Sequence, residues 1–254
     1  MSSMDVVGDL LARDRRTRSP ALVTTEGRER TTHDLITNAH KAANVLRHLG
    51  AREGSTVAVD PTPGVHTAVA FLGAARLGAP VRFDPSAGID GGDRVVVGPV
   101  EDEPAIRPRP GTSLAVFGGT PDRSETTHWE QELWSENPAT PPAAVSPADP
   151  VVRVGADAVT HWRLLEVADA VATDHGIDAG TRVVVRTSFV DPRAAAAGVV
   201  APLARDGVTV LAGRPDRPTA RGDLAVVDDT DATAPEPDRV VLSTLAALGD
   251  QKQL

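Results

Sequence analysis

The sequence predicts an α/β protein made of two pseudo-repeated lobes, each with a mainly parallel sheet flanked by helices. Three observations predict it. Short apolar runs alternate with longer segments whose apolar residues recur every third or fourth position. Glycines punctuate the junctions, and the resulting helix–strand order is the grammar of a parallel sheet covered by helices. Landmarks also return at a near-constant offset. Thr32 and Thr160, and His33 and His161, are 128 apart; Gly50 and Gly176, Gly54 and Gly180, and Val57 and Val183 are 126 apart; Gly78 and Gly207 are 129 apart. Such offsets across a whole βα unit point to a duplicated subdomain, although any two βα units share some glycine punctuation. The expected division is a first lobe at 1–135, a Pro/Ala-rich crossing at 136–150, and a second lobe with a short extension at 151–254.

The elements follow in order. Val6, Val7, Leu10 and Leu11 share one face of a short opening helix. ALVTT and RERT flank Glu26-Gly27 as two short strands around a tight turn. Thr31 and Asp34 form a capping box for a helix carrying Leu35, Ile36, Ala39, Ala42, Ala43 and Leu46, with Gly50 placed for a left-handed C-cap. Gly54 turns the chain into the strand TVAVD, a helix runs from Val65 to Leu77, and Gly78 leads to the strand PVRF. RVVV (94–97) and SLAVF (113–117) are further strands. The pattern then returns: a helix over THWRLLEVADAVATDHG, the strand TRVVVR after Gly180, a helix opened by Asp191-Pro192, and VTVLAG after Gly207. LAVV (224–227), RVVL and a last short helix close the chain.

Composition narrows the function. There are no cysteines, so disulfides, thiolate metal sites and cysteine nucleophiles are excluded. The net charge of −9 comes from 24 Asp and 11 Glu against 24 Arg and only 2 Lys. This acidic, lysine-poor surface fits a halophilic protein or a GC-rich genome, and the two are not exclusive. It argues against nucleic acid as a partner. No apolar run is long enough to cross a bilayer, and the opening residues lack the apolar stretch of a secretory leader. The expected location is therefore the cytoplasm, with no membrane contact.

The segment PALVTTEGRERTTHDLITNAHKAANVLRHLGAREGSTVAV, then PGVHTAVAFLGAARLGAPVRFDP, DRVVV and HWEQELWSENPATPPAAVSPADPVV resemble the N-terminal region of the adenylate-forming superfamily, the AMP-binding, acyl-CoA synthetase-like proteins. The likeness covers roughly residues 20 to 215 and is spread over many positions. It implies the fold of a synthetase N-terminal domain. It also implies a phosphate-binding loop rich in Ser, Thr and Gly, ending in Pro-Lys-Gly and placed just before a Thr-His pair that opens a helix. Thr160 and His161 match that pair. Between Val152 and Val159 the chain offers only RVGADA, too short for the loop and without a lysine. The loop is deleted rather than substituted. The family's magnesium-binding Glu motif and ribose-binding Asp have no counterpart either. Its catalytic lysine is matched neither by Lys41, in the first helix, nor by Lys252. Transfer of an adenylyl group relies on several such groups acting together.

The residues left at that place, Gly155, Asp157, Thr160 and His161, are the vestige of a nucleotide site. The simpler reading of VGAD is a shortened turn, with Asp157 or Thr160 capping the next helix. FGGT (117–120) is either a phosphate cradle or a plain turn. Ser188 and Asp191 sit after a strand, but no Gly-x-Ser-x-Gly surrounds a nucleophile. His33, His40 and His48 lie along one helix stripe two turns apart, too far to share a metal. Of Trp129 and Trp134, one is expected to pack inside and the other to mark a surface. The expected function is a non-catalytic binding or regulatory module without a cofactor, partnered by a second copy or by a complete synthetase. Two alternatives stay open. One is an AMP-forming acid–thiol ligase using ATP and magnesium with unusual groups or a partner subunit, and the other is an unrelated small-molecule-binding protein.

Overall fold

The computed structural model describes residues 4–85, 88–212 and 220–248. Its first half contains β1 (Pro20–Val23), β2 (Glu29–Thr31), α1 (Thr32–His48), β3 (Thr56–Val59), α2 (Val65–Leu77) and β4 (Val81–Phe83). These are followed by β5 (Asp93–Pro99), β6 (Ser113–Phe117), β7 (Thr127–His128) and α3 (Trp129–Ser135). The crossing that follows has no regular structure up to β8 (Pro150–Val154). Then come β9 (Asp157–Thr160), α4 (His161–Asp174), β10 (Arg182–Val185) and a helix made of α5 (Pro192–Ala195), a π segment (Ala196–Val200) and α6 (Ala201–Ala204). β11 (Val208–Leu211), β12 (Leu224–Val227) and β13 (Asp238–Val241) complete the order. Two 3-10 turns, Val7–Leu11 and Arg13–Arg15, precede β1.

Local chemistry explains the helix ends. The Asp34 amide donates to Thr31 Oγ1 at 3.1 Å while Asp34 Oδ2 accepts from the Thr31 amide at 3.2 Å, a reciprocal capping box. α2 is apolar on nearly every side and is buried by α1, the sheet and the N-terminal turn. A Cβ on Gly73 would lie 2.8 Å from both Ala42 Cβ and the Ala43 amide nitrogen, so α1 and α2 approach as closely as they do because that position has no side chain. Asp191 caps α5 by accepting from the Arg193 amide at 2.9 Å, with Pro192 as the first helical residue. The π segment widens the helix where Gly198 lies against Val185 of β10.

The strands form two sheets. One has the order β7-β6-β5-β3-β4-β8-β9 and the other β13-β12-β10-β11-β1-β2. All neighbours are parallel except within the hairpins β1–β2 and β8–β9. The duplication is visible in this order: β3, β4, β5 and β6 correspond to β10, β11, β12 and β13. The expected lobes at 1–135 and 151–254 do not each keep their own strands, however. Hairpin β1–β2 extends the sheet of the second half through β11, and hairpin β8–β9 extends that of the first half through β4. This exchange welds the halves into one unit with a core spanning both sheets. The loops after β3 and β10 also meet. The Phe189 amide donates to Pro61 O at 2.9 Å, and the Phe83 and Phe189 rings lie 5.6 Å apart.

Three equivalences shift by one residue, that of His33 with His161 among them, because His161 and Thr32 are each the first residue of their helix. Thr31, not Thr32, matches Thr160, because each is the N-cap of its helix. The left-handed position matching Gly78 (φ 74°) is Asp206 (φ 56°), one residue before Gly207. VGAD is not a strand-to-helix turn: Gly155 and Ala156 turn the hairpin, and Asp157 begins β9. Of the two capping candidates Thr160 is the cap, accepting from the Arg163 amide at 3.4 Å. The last short helix is a 3-10 turn, Leu242–Thr244. Gly213, most of the segment after it and Lys252 lie outside the described residues.

Candidate functional site

The four vestige residues belong to the second hairpin and the helix it feeds. Gly155 (φ 58°) and Ala156 close β8 onto β9 with a two-residue turn, the tightest connection that paired antiparallel strands allow. Gly155 and Asp157 are exposed at the tip, whereas Thr160 and His161 sit at the far end of β9, about 10 Å away at strand rise. His161 is fully buried. Its Nδ1 accepts from the Val7 amide at 3.2 Å, and its Nε2 has no partner among the described residues. Burial pushes its pKa down to about 4, against the opposing charges of Asp149 and Asp9. The ring is a neutral peg that holds the N-terminal turn on α4. The quartet therefore does not converge on a common space.

The hairpin also does not fit the phosphates of ATP. A phosphate loop presents several backbone amides, hydroxyls and a cation around one anion. Here the turn supplies a glycine and an alanine, and the neighbouring Val154 and Asp157 bring an apolar group and a negative charge. The glycine pair of FGGT is no substitute, because the Gly118 amide donates to Glu130 Oε1 at 2.6 Å.

A crevice of about 780 Å³ opens elsewhere, at the carboxyl ends of β3, β5 and β6. β3 leads through α2 to β4 on one side, and the chain then returns to β5 on the other side, so β3 and β5 flank a topological switch point. Open α/β sheets bind ligands at such places. Asp60 and Thr62 follow β3, Glu101 and Asp102 follow β5, Phe117 and Gly118 end β6, and Thr25 and Glu26 overhang from the first hairpin. Burial raises the Asp60 pKa; hydrogen bonds from Thr62 oppose the rise, and the charges of Asp102 and Glu101 add to it. His66 stacks on Phe117 with ring centroids 4.9 Å apart. Burial lowers the His66 pKa against the pull of Glu130 and Glu26. Among the described residues no lysine or arginine lines this crevice.

The walls are held by buried charge. Glu103, after β5, accepts from the Asp122 amide at 2.8 Å and from the Arg123 amide and Nε at 3.2 Å each. Burial would raise its pKa, but these bonds together with the Thr126 hydroxyl pull it to about 2. In the second sheet Arg186, just after β10, makes a bidentate pair with buried Glu236 at 2.7 and 2.6 Å, and the Thr187 hydroxyl donates to Asp228. Ser188 Oγ donates to Pro61 O at 3.4 Å, and Asp191 is occupied as the helix cap, so neither is set up as a catalytic group. His40 is buried while His33 and His48 are exposed, so the histidine stripe does not gather. Sequence reasoning missed Asp60, His66, Glu101 and Asp102. Only the strand order brings them to one crevice, and no local pattern encodes it.

The anthranilate CoA ligase AuaEII, in complex with anthranoyl-AMP, superposes with a TM-score of 0.75 at 18% identity, over 87% of this chain and 49% of that one. The N-terminal domain of FACL13 from Mycobacterium tuberculosis gives 0.73 at 19% identity, over 87% and 62%. ATP-bound MatB from Rhodopseudomonas palustris gives 0.73 at 17% identity, over 87% and 49%. The fold is similar to that of the N-terminal domain of acyl-CoA synthetases. At these identities the likeness establishes the fold alone, and the chain spans between about half and 62% of the length of these proteins. No family model matches the sequence, and no curated protein matches it. Among the described residues no helix is long and apolar enough to cross a membrane.

Proposed function

We propose that this chain is a non-catalytic binding or regulatory module on the adenylate-forming fold. The observation that carries the reading is the two-residue turn Gly155-Ala156, which stands where the resemblance places the phosphate loop. A turn that short leaves no ring of amides and hydroxyls to hold a triphosphate while a carboxylate attacks it. Trp134 and Trp162, exposed by 88% and 45%, support a role in contact with a second copy or with a complete synthetase. The fold sets only the prior, and the site decides the function.

The test is pyrophosphate–ATP exchange with magnesium and a panel of aliphatic and aromatic carboxylic acids. The expected result is no acid-dependent exchange. Exchange dependent on one acid would replace this reading with that of an acid–thiol ligase using unusual groups.

A further inference from the structure

A second cavity, a groove of about 570 Å³, lies between the first hairpin and α1, α2 and α3. Its chemistry differs from that of the strand-end crevice. The floor is apolar, with Leu22, Leu35, Val69 and Leu133. Trp134 stands at the rim, 88% exposed, with its helix end fixed by Lys41 Nζ, which donates to Leu133 O at 3.0 Å and Trp134 O at 3.3 Å. An indole held this far into water by its own backbone anchor gains nothing for the fold and offers a flat stacking surface.

Strand alternation supplies the charge. Glu29 points to the opposite face of β2 and pairs with Arg182 at 2.5 Å. Arg28 and Arg30, one residue to either side, both line the groove and form no ion pair among the described residues. In a chain of net charge −9 such guanidinium groups would readily find carboxylates. The acids of the groove are held mainly by other groups: Asp34 is in the capping box, Glu130 Oε1 takes the Gly118 amide at 2.6 Å, and Glu26 takes the Thr25 hydroxyl at 2.5 Å while also feeling the charge of Arg28. Glu130 also lies between two histidines, with His66 Nε2 3.6 Å from Oε1 and His128 Nε2 3.6 Å from Oε2.

We propose that this groove binds a small aromatic anion. The ring stacks on Trp134 over the apolar floor, and the acid group pairs with Arg28 and Arg30. This assignment does not depend on whether the chain handles nucleotides, and it concerns a groove that adjoins the strand-end crevice through Glu26, Val65 and His66.

The probe is anilinonaphthalene sulfonate, which joins fused rings to a sulfonate, titrated against the intact chain and followed by its fluorescence. The expected result is one saturable site, with neutral phenylnaphthylamine binding at least about tenfold more weakly, as loss of a charge-assisted bond implies. The double variant Arg28→Gln/Arg30→Gln should lose about tenfold in affinity. Trp134→Ala should weaken binding at an unchanged melting temperature. Absence of saturable binding, or binding that ignores the arginine pair and Trp134, overturns the proposal.

Discussion

The hairpins β1–β2 and β8–β9 occupy equivalent places, each extending the sheet built by the other half, yet their tips differ. The first is closed by five residues, Thr24 to Arg28. The Thr24 amide donates to Arg28 O at 2.9 Å, Thr24 Oγ1 accepts from the Arg28 amide at 3.3 Å, and Gly27 takes φ 78°. This tip overhangs the strand-end crevice. The second is closed by Gly155 and Ala156 alone and ends in solvent. In both, the strand register and the cap of the following helix are kept. The fold uses the arms of each hairpin for sheet exchange, while the tip is free to lengthen, shorten or carry chemistry. A phosphate loop can therefore be absent without disturbing the scaffold around it.

The helices that follow the hairpins give the largest expected effect. Behind the second, His161 accepts from the Val7 amide; on the first helix, His40 Nδ1 lies 3.0 Å from Arg16 Nη2. Both rings therefore fasten the N-terminal segment, and both are at most 2% exposed. Burial lowers the pKa of each to about 4, with Arg16, Arg76 and Arg13 adding to the effect at His40. Between that value and the ordinary 6.5, the unfolded chain takes up protons that the folded chain refuses. Stability from these groups is thus full above pH 6.5, falls as the pH drops towards 4 and levels off below it, by on the order of 3 kcal/mol per histidine. Urea unfolding at a series of pH values checks this, and His161→Gln should remove about half of the slope in that window. An unchanged slope would mean that the ring is not held neutral under the N-terminal turn.

A smaller effect separates the two helix caps. Thr31 is reciprocated by Asp34, whereas Thr160 accepts a single bond at 3.4 Å and has Arg163 at the matching position. Thr31→Ala should cost about 1–2 kcal/mol, and Thr160→Ala about 0.5 kcal/mol. Thermal melts of the two variants read the difference. Equal losses would show that the reciprocal bond adds nothing.

The caps were legible in the sequence because they are local: Thr31 with Asp34, Asp191 with Pro192, and the left-handed glycines at 50, 54 and 78 each announce themselves over a few residues. The helix bounds of α2, Val65–Leu77, followed from its apolar run between Gly64 and Gly78. The duplication was legible too, but only to within one residue, because Gly207 drew the alignment away from Asp206. The exchange of hairpins was not. Parallel pairing joins distant segments, and nothing in β1 names β11 as its neighbour. The crevice depended on that order and was missed with it. The tryptophans fell between: their different environments were expected, and the structure assigns Trp129 to the core and Trp134 to the surface.

The contrast between the two hairpin tips is tested most directly by calorimetric titration of ATP and of AMP into the intact chain, with magnesium in high-salt buffer. The proposed non-catalytic role predicts no heat of binding up to millimolar nucleotide. Saturable micromolar binding of either nucleotide would contradict it and would place a nucleotide site in a chain whose second hairpin turns on Gly155 and Ala156 alone.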